Sequence, residues 1–276
     1  MDMLNFTEIE NVRAIIQENL PCELNDFGKM IRSKIGLYFF KSLGVEITKE
    51  CLEFLAVVEL VHNASLFHDD VIDNELIRRE QPTFSSSRGD KVSILYGNLA
   101  LSNALSILLK FENVEFISAL NNCVKKMCFG ELLQQKSLNK IPTINEYIEK
   151  TRLKTSSLFQ FLMKGVSVLS NTNYIEKFES FGDNFGVGFQ IANDLADYLK
   201  GVENSSDIKN GIYTAPIIYA QSVKFDKLAI DKTKDLIDNY LKRAKGVLDL
   251  LGDNEYKRAL IGEIECLMKW KISVPL

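Results

Sequence analysis

Apolar residues recur along this chain at intervals of three and four, and proline almost never falls inside the resulting stretches. Proline in a helix interior removes a backbone donor and collides with the preceding turn, costing about 3 kcal/mol. Of the five prolines, Pro21, Pro82, Pro142 and Pro275 sit between periodic segments or at the chain end, where they read as punctuation. From Thr48 to about Asp73, the residues Leu52, Leu55, Val58 or Glu59, His62, Leu66 and Asp69 fall on one broad face. Thr143 follows Pro142 and precedes Glu146 by three residues, a capping-box start for a long helix reaching about Ser170. The stretches near 7–20, 26–43, 90–110, 114–138, 174–200, 226–249 and 254–270 also read as helices. No run alternates in the manner of a strand, and no hairpin signal is present. Long apolar helices with short joins predict an all-α protein, one large helical bundle spanning residues 1–276.

The charge balance narrows the partners. Lys and Arg number 33 against 37 Asp and Glu, a formal net charge of −4, so nucleic acid is not expected as the main partner. A local basic site for a phosphorylated small molecule is compatible with that balance. Only two histidines, His62 and His68, are available, which argues against a histidine-rich zinc or iron centre. A metal here would be held by carboxylates, the donor set of a hard cation such as Mg²⁺. Cys22, Cys51, Cys123, Cys128 and Cys266 are odd in number and form no CxxC pair, which fits reduced thiols in a cytoplasmic protein. The opening Met1-Asp2-Met3-Leu4 lacks the order of a signal peptide, and no stretch reads as the roughly 20 apolar residues of a transmembrane segment.

Two acidic clusters carry the chemistry. Asp69, Asp70 and Asp73 close the long apolar helix, spaced at three and four so that all can converge. A helix C-terminus bears partial negative charge, and each carboxylate there costs on the order of 0.3–1 kcal/mol, so a cation is expected to offset it. Arg78 and Arg79 follow within a few residues, and Mg²⁺ would serve directly. The plainer alternative is a solvated acidic helix end. The second cluster lies in Phe189-Gln190-Ile191-Ala192-Asn193-Asp194-Leu195-Ala196-Asp197, where Gln190, Asp194 and Asp197 share a helix face. Here the plainer alternative is an amphipathic helix with its polar face in water. Upstream, Gly182, Gly186 and Gly188 would let neighbouring helices approach closely. Two acidic faces in one bundle could clamp a polyphosphate through several Mg²⁺ ions. Each cluster is followed by a loop-like stretch, Arg78 to Lys91 and Gly201 to Thr214, placed to cover a site. Lys29 and Arg32 lie within one turn of a helix start, Lys154-Thr155 lies mid-helix, and His62 lies on the apolar face; alone, each has an ordinary structural reading.

Together these residues resemble the trans-prenyltransferase (polyprenyl diphosphate synthase) family. His68-Asp69-Asp70-Val71-Ile72-Asp73, then Arg78-Arg79 and Gln81-Pro82-Thr83, resembles its DDxxD, RR and xPT block. Gly28-Lys29-Met30-Ile31-Arg32-Ser33 resembles GKxxRP with serine in place of the proline. Glu59-Leu60-Val61-His62 with Ser65-Leu66 resembles the helix bearing the isopentenyl-site histidine. Gly130-Glu131 with Gln134, then Lys154-Thr155, then Phe189-Gln190 follow in family order, over about residues 25–220. The resemblance implies an isoprenoid-synthase-type bundle with a central cavity. It also implies a homodimer that condenses an allylic diphosphate (farnesyl or geranylgeranyl) with isopentenyl diphosphate. Asp69, Asp73 and Asp194 would hold up to three Mg²⁺ ions on the allylic diphosphate. Asp70 and Asp197 would support them, and Arg78, Lys154, Thr155 and Gln190 would assist. Lys29, Arg32, His62 and Arg79 would hold isopentenyl diphosphate. The product would grow past Ala64 and Ser65, one turn below Asp69; both are small, which implies a long-chain, octaprenyl-like product.

The chain departs from the family pattern at further positions as well. Asn193 stands where the first aspartate of the second DDxxD is usual, and Asn98 where the aspartate of a glycine–aspartate pair is usual. Ile212, in Gly211-Ile212-Tyr213-Thr214, stands where the family carries the lysine of Gly-Lys-x-Thr. Isoleucine cannot bind a phosphate, which leaves Lys200 and Lys209 as candidates for the missing cation. Two other readings therefore stay open: a weakly active or non-catalytic subunit of a heteromeric synthase, and a class I terpene cyclase.

Overall fold

The three-and-four spacing becomes a series of helices in the computed structural model, which describes residues 7–20, 28–78, 81–201, 206–223 and 226–268. The helices α1 (Thr7–Asn19), α2 (Ile31–Ser42) and α3 (Lys49–Ile72) lead into a two-residue antiparallel pair, β1 (Ile77–Arg78) and β2 (Gln81–Pro82). Next come α4 (Phe84–Arg88), α5 (Asp90–Leu109) and α6 (Val114–Lys136). Then α7 (Ile144–Thr151), a π-helical turn (Arg152–Ser156) and α8 (Ser157–Leu169) run on from one another. The remainder is α9 (Ile175–Leu199), α10 (Ser206–Lys209), α11 (Ala215–Val223), α12 (Asp226–Val247), a 3₁₀ turn (Leu248–Leu250) and α13 (Glu255–Met268).

Helix α3 is central. It packs against α1, α2, α5 and α8, and its Phe54, Leu55, Val57, Val58 and Leu60 are fully buried. Such a helix meets protein on most sides, so its sequence is apolar around most of its circumference. Helix α9 lies against α8 and α12. Its Phe181, Phe185 and Phe189, spaced by four, stack at 5.5 and 6.0 Å, and Phe39 of α2 meets Phe181 edge-on at 4.7 Å. With Phe159 of α8, 5.3 Å from Phe185, these rings join α2, α8 and α9 into the same buried cluster that surrounds α3.

Several details differ from the sequence expectation. Helix α2 starts at Ile31 rather than near residue 26, because Gly28 and Met30 hold φ values of 60° and 51°, outside the helical range. The β pair had no signal in the sequence, being only two residues long on each side. The stretch after it is partly helical: Thr83 caps α4, accepting from the Ser86 N–H at 3.1 Å and donating to the Glu75 carbonyl at 2.7 Å. Phe84 then anchors α4 edge-on against Phe67 and Tyr96, each at 5.0 Å. The Thr143–Glu146 capping box forms as expected, but the helix it starts widens into the π turn before resuming. By length and composition, α3 and α5 are both apolar enough to cross a membrane, contrary to the expectation. Interleaved Ser, Asn and Gly hide this in α5 from a search for uninterrupted apolar runs. Most of α3 is buried inside the bundle, whereas α5 leaves Leu95 and Leu109 exposed. The thiols of Cys51, Cys123 and Cys128 are free, and Cys266 is exposed on α13; Cys22 and Arg79 lie outside the described residues.

The glycines of α9 act as the spacing suggested. A Cβ on Gly182 would stand 2.5 Å from the Phe159 carbonyl oxygen, and one on Gly186 2.7 Å from the Ser156 Cα. Backbone atoms cannot swing aside as a side chain can, so Gly182→Ala should cost about 1–3 kcal/mol through overpacking, read as a lowered urea midpoint. Gly246→Ala in α12, where a Cβ meets nothing within 4 Å, should instead be neutral or stabilising by up to about 1 kcal/mol.

Candidate active site

The π turn sets the centre of the site. It presses against α6 so closely that a Cβ on Gly130 would stand 2.5 Å from the Lys154 amide nitrogen. That approach lets Lys154 pair with Glu131 of α6 while its Nζ lies 3.6 Å from Asp69 Oδ2 on α3. Burial works against the lysine charge, but Asp69 and Glu131 more than offset it and hold the ammonium pKa above its ordinary value. Burial raises the Asp69 carboxyl, with Lys154 opposing the rise. Asp70 is turned away from Lys154 and buried, and it accepts from Arg78 Nε at 2.9 Å and Nη2 at 2.8 Å.

Asp73, the C-cap of α3, faces a cavity of about 100 Å³. Lys154 and Thr155 of the π turn line it, with Gln190 and Asp194 of α9, Asp207 of α10, and Ile212. Asp194 is buried and held at both oxygens: Tyr147 donates to Oδ2 at 2.5 Å, and Gln190 Nε2 donates to Oδ1 at 2.7 Å. Gln190 in turn accepts from the Thr155 hydroxyl at 3.1 Å, so one chain of bonds ties the π turn, α9 and α7 together. Burial and the adjacent Asp194 raise the Tyr147 phenol well above its usual pKa, which keeps it a donor.

Two carboxyls here charge near neutrality. Asp73 is pushed up to about 6, chiefly by burial, with Glu131 and Asp69 adding to the rise. Asp207 is pushed up to about 7 by burial and then by Asp194. An oxygen-only donor set with crowded, hard-to-ionise carboxyls fits a hard divalent cation. Among the described residues, no three His, Cys, Asp or Glu side chains converge tightly enough to bind one ion by themselves.

The other sequence candidates lie elsewhere. Lys29 sits in the turn before α2, Arg32 is buried with its guanidinium 4.9 Å from the Phe159 ring centre, and His62 is half-buried on α3. None of the three lines the cavity, and Arg79 lies outside the described residues. Ser33, where the family pattern has proline, donates its N–H and hydroxyl to buried Glu59 at 3.0 and 2.8 Å, pinning α2 to α3. Proline could not donate the first of these bonds. Ala64 is buried, and the Ser65 hydroxyl donates to the His62 carbonyl at 2.8 Å. Asp197 lies 3.5 Å from Lys200 Nζ. Asn98 is exposed on α5, and Asn193 Oδ1 is buried without a hydrogen-bond partner. Sequence reasoning gave no role to Glu131 and passed over Tyr147, Lys150 and Asp207. Lys150 was discoverable from its spacing, since it lies four residues before Lys154 and so on the same helix face.

A sequence model of polyprenyl synthetases matches residues 13–249. The chain belongs to the polyprenyl synthetase family. It is 32% identical over 265 residues to the decaprenyl-diphosphate synthase of Dictyostelium discoideum, covering 85% of this chain and 58% of that protein. It is 34% identical over 183 residues to solanesyl diphosphate synthase 1 of Arabidopsis thaliana, covering 63% of this chain and 45% of that one. The chain thus spans about half the length of the curated relatives it matches. A polyprenyl synthase from Caulobacter crescentus, solved with calcium and isoprenyl diphosphate, superposes with a TM-score of 0.86 at 21% identity, over 98% of this chain and 95% of that one. The decaprenyl diphosphate synthase of Rhodobacter capsulatus superposes with a TM-score of 0.84 at 21% identity, over 95% of each chain. These likenesses establish the all-α isoprenoid-synthase bundle. Members of the family generally use a divalent metal.

The raised carboxyls have a stability consequence. A carboxyl whose folded pKa is raised stabilises the fold fully below its unfolded pKa, here near 3.8, and loses that contribution as pH rises through the folded value. For Asp73 the loss is centred near pH 6. In metal-free protein, Asp73→Asn should therefore melt higher than the unmodified chain at pH 8, and thermal melts at pH 5 should show the gap closing.

Proposed function

We propose that this chain is a Mg²⁺-dependent prenyltransferase that condenses isopentenyl diphosphate with an allylic diphosphate, farnesyl or geranylgeranyl, into a long-chain trans-polyprenyl diphosphate. The observation that carries the reading is the pair of acidic walls, Asp69 and Asp73 on α3 against Asp194 on α9, with Lys154 set between α3 and α6. Asp69, Asp73 and Asp194 would hold up to three Mg²⁺ ions for the allylic diphosphate. A divalent ion held there would supply charge to neutralise the diphosphate as it leaves. Lys154, fixed by Glu131 and Asp69, offers a further charge to the same oxygens. The Thr155–Gln190–Asp194–Tyr147 chain holds that wall rigid, so little reorganisation is needed as charge develops. Asp70 holds Arg78 in place beside it.

Lys29, Arg32, His62 and Arg79 receive isopentenyl diphosphate, whose double bond attacks the allylic cation. The released pyrophosphate removes the proton, so no protein nucleophile is required and the catalytic work is positioning plus electrostatics. The small side chain of Ala64 would obstruct a chain growing beside α3 less than an aromatic there would. The names of the relatives, decaprenyl and solanesyl among them, support a long product. Exposed Leu95 and Leu109 on α5 and Phe129 and Leu132 on α6 support a homodimer formed through those helices. Free thiols at Cys51 and Cys123 fit a reducing compartment such as the cytoplasm. Ile212, with Asn193 and Asn98, favours a partner-dependent subunit; the relatives are named as synthases, which supports the synthase over both that reading and the cyclase.

Purified protein given farnesyl diphosphate and radiolabelled isopentenyl diphosphate should make long-chain product only when Mg²⁺ is present. Asp69→Asn should lower turnover by about 100-fold or more. No incorporation by a folded dimer would overturn the reading in favour of the partner-dependent subunit. Product length has its own check: Ala64→Phe should shorten whatever chain forms, resolved by thin-layer chromatography, and an unchanged length would place the growing chain elsewhere.

A further inference from the structure

Ile212 removes a lysine from the family pattern, yet the backbone that would carry it is firmly placed. Gly211 has a φ of 71°, its carbonyl accepts from the Asn139 N–H at 2.9 Å, and a Cβ there would stand 2.3 Å from Asn139 Oδ1. The Ile212 N–H donates to the Asp207 carbonyl at 2.8 Å. The buried Ile212 side chain lies on the boundary between the acidic cavity and an outer cleft of about 470 Å³ next to the α6–α7 connection. One other residue lines both spaces: Lys150.

Lys150 has the placement that the lost cation requires. It is half-buried, its Nζ lies 3.4 Å from Gln134 Oε1, and it stands over the Tyr147 ring at 5.3 Å. Asp194 and Asp207 act on it across the cavity, while Lys154 and Glu131 act from its own side. Lys154 serves the α3 side, paired with Glu131 and Asp69, and Arg78 is paired with Asp70, so neither answers the α9–α10 wall. Among the described residues Lys150 closes no ion pair, which leaves its ammonium available to an anion in the cavity. Lys200 and Lys209, the candidates from sequence, do not line the cavity: Lys200 is exposed beside Asp197, and Lys209 is exposed on α10.

We propose that Lys150 supplies the cation that Ile212 cannot, donating to the diphosphate of the allylic substrate, and to pyrophosphate once released, from the α7 side of the cavity. The assignment rests on the synthase reading for its substrate, but not for its anion. Each lysine of the Lys150–Lys154 pair then answers one acidic wall, Lys154 the α3 side and Lys150 the α9–α10 side.

The test is binding of inorganic pyrophosphate in the presence of Mg²⁺, followed by calorimetry, alongside steady-state kinetics with farnesyl diphosphate. A charge-assisted hydrogen bond lost from such a site should weaken pyrophosphate binding, and lower turnover, by about 10- to 100-fold in Lys150→Met. Lys150→Arg should retain most of both. The double variant Lys150→Met/Ile212→Lys should regain about tenfold, and Lys209→Met should change neither. Lys150→Gln, which can still bond to Gln134, serves if Lys150→Met does not fold. Pyrophosphate affinity unchanged in the folded Lys150 variants would overturn the proposal, as would a folded double variant that regains nothing. If the unmodified chain turns over no allylic substrate yet Lys150→Met still weakens pyrophosphate binding, the synthase reading falls and the Lys150 assignment stands.

Discussion

Lys154 is the charge on which the arrangement depends. Asp69, Asp73 and Glu131 bring carboxylates from α3 and α6 into one partly dry space, and their mutual repulsion would force the helices apart or protonate the acids. The lysine lowers the Glu131 carboxyl and opposes the rise at Asp69 and Asp73. Losing one partner from a buried ion pair typically costs 3–5 kcal/mol, because the other charge stays behind uncompensated. Lys154 reaches its place only because the helix swells by a π turn there and because Gly130 lets that turn lie directly on α6. Such bulges commonly occur at functional sites.

The bundle around it follows from a division of labour between helix faces. Helix α3 spends nearly its whole circumference on packing and delivers its aspartates only at the end, where the helix dipole makes them least comfortable. That discomfort is useful to an anion-and-cation site: the carboxyls stay poorly satisfied by protein alone, so a divalent ion gains by joining them. Helix α9 achieves a similar result differently. Its aromatic stripe and its glycines fix it against α2 and α8, while Gln190 and Asp194 on its other face are locked by Thr155 and Tyr147.

Much of this was legible in the chain. The helix pattern follows from periodicity and proline placement, and the two acidic clusters stand out because a DxxD at a helix end is electrostatically wrong without a cation. The close approach of α9 to its neighbours could be read from Gly182 and Gly186, since small residues at spacing four have few other uses inside an aromatic helix. What could not be read was anything created by a neighbour. Nothing in Arg152–Ser156 announces a π turn; it is held between Gly130 on one side and Gly186 on the other. Asp207 belongs to no acidic motif and becomes part of the site only because α10 folds back over it. Spacing puts Lys150 on the face of Lys154, but only the fold shows that it lines the same two spaces as Ile212.

That last contact bears on how a substituted motif should be judged. A diphosphate site has to satisfy a sum of charges at a set of oxygens, and the backbone segment from which each charge comes is secondary. Loss of a lysine at position 212 leaves a deficit on the α9–α10 wall, where Asp194 and Asp207 already crowd each other. A lysine stem of four carbons reaching in from α7 can fill that deficit, while isoleucine at 212 supplies the apolar contact such a stem prefers. The exchange keeps the charge in the cavity and moves only its point of attachment. Counting matched motif positions registers that as a loss; counting charges in the cavity does not.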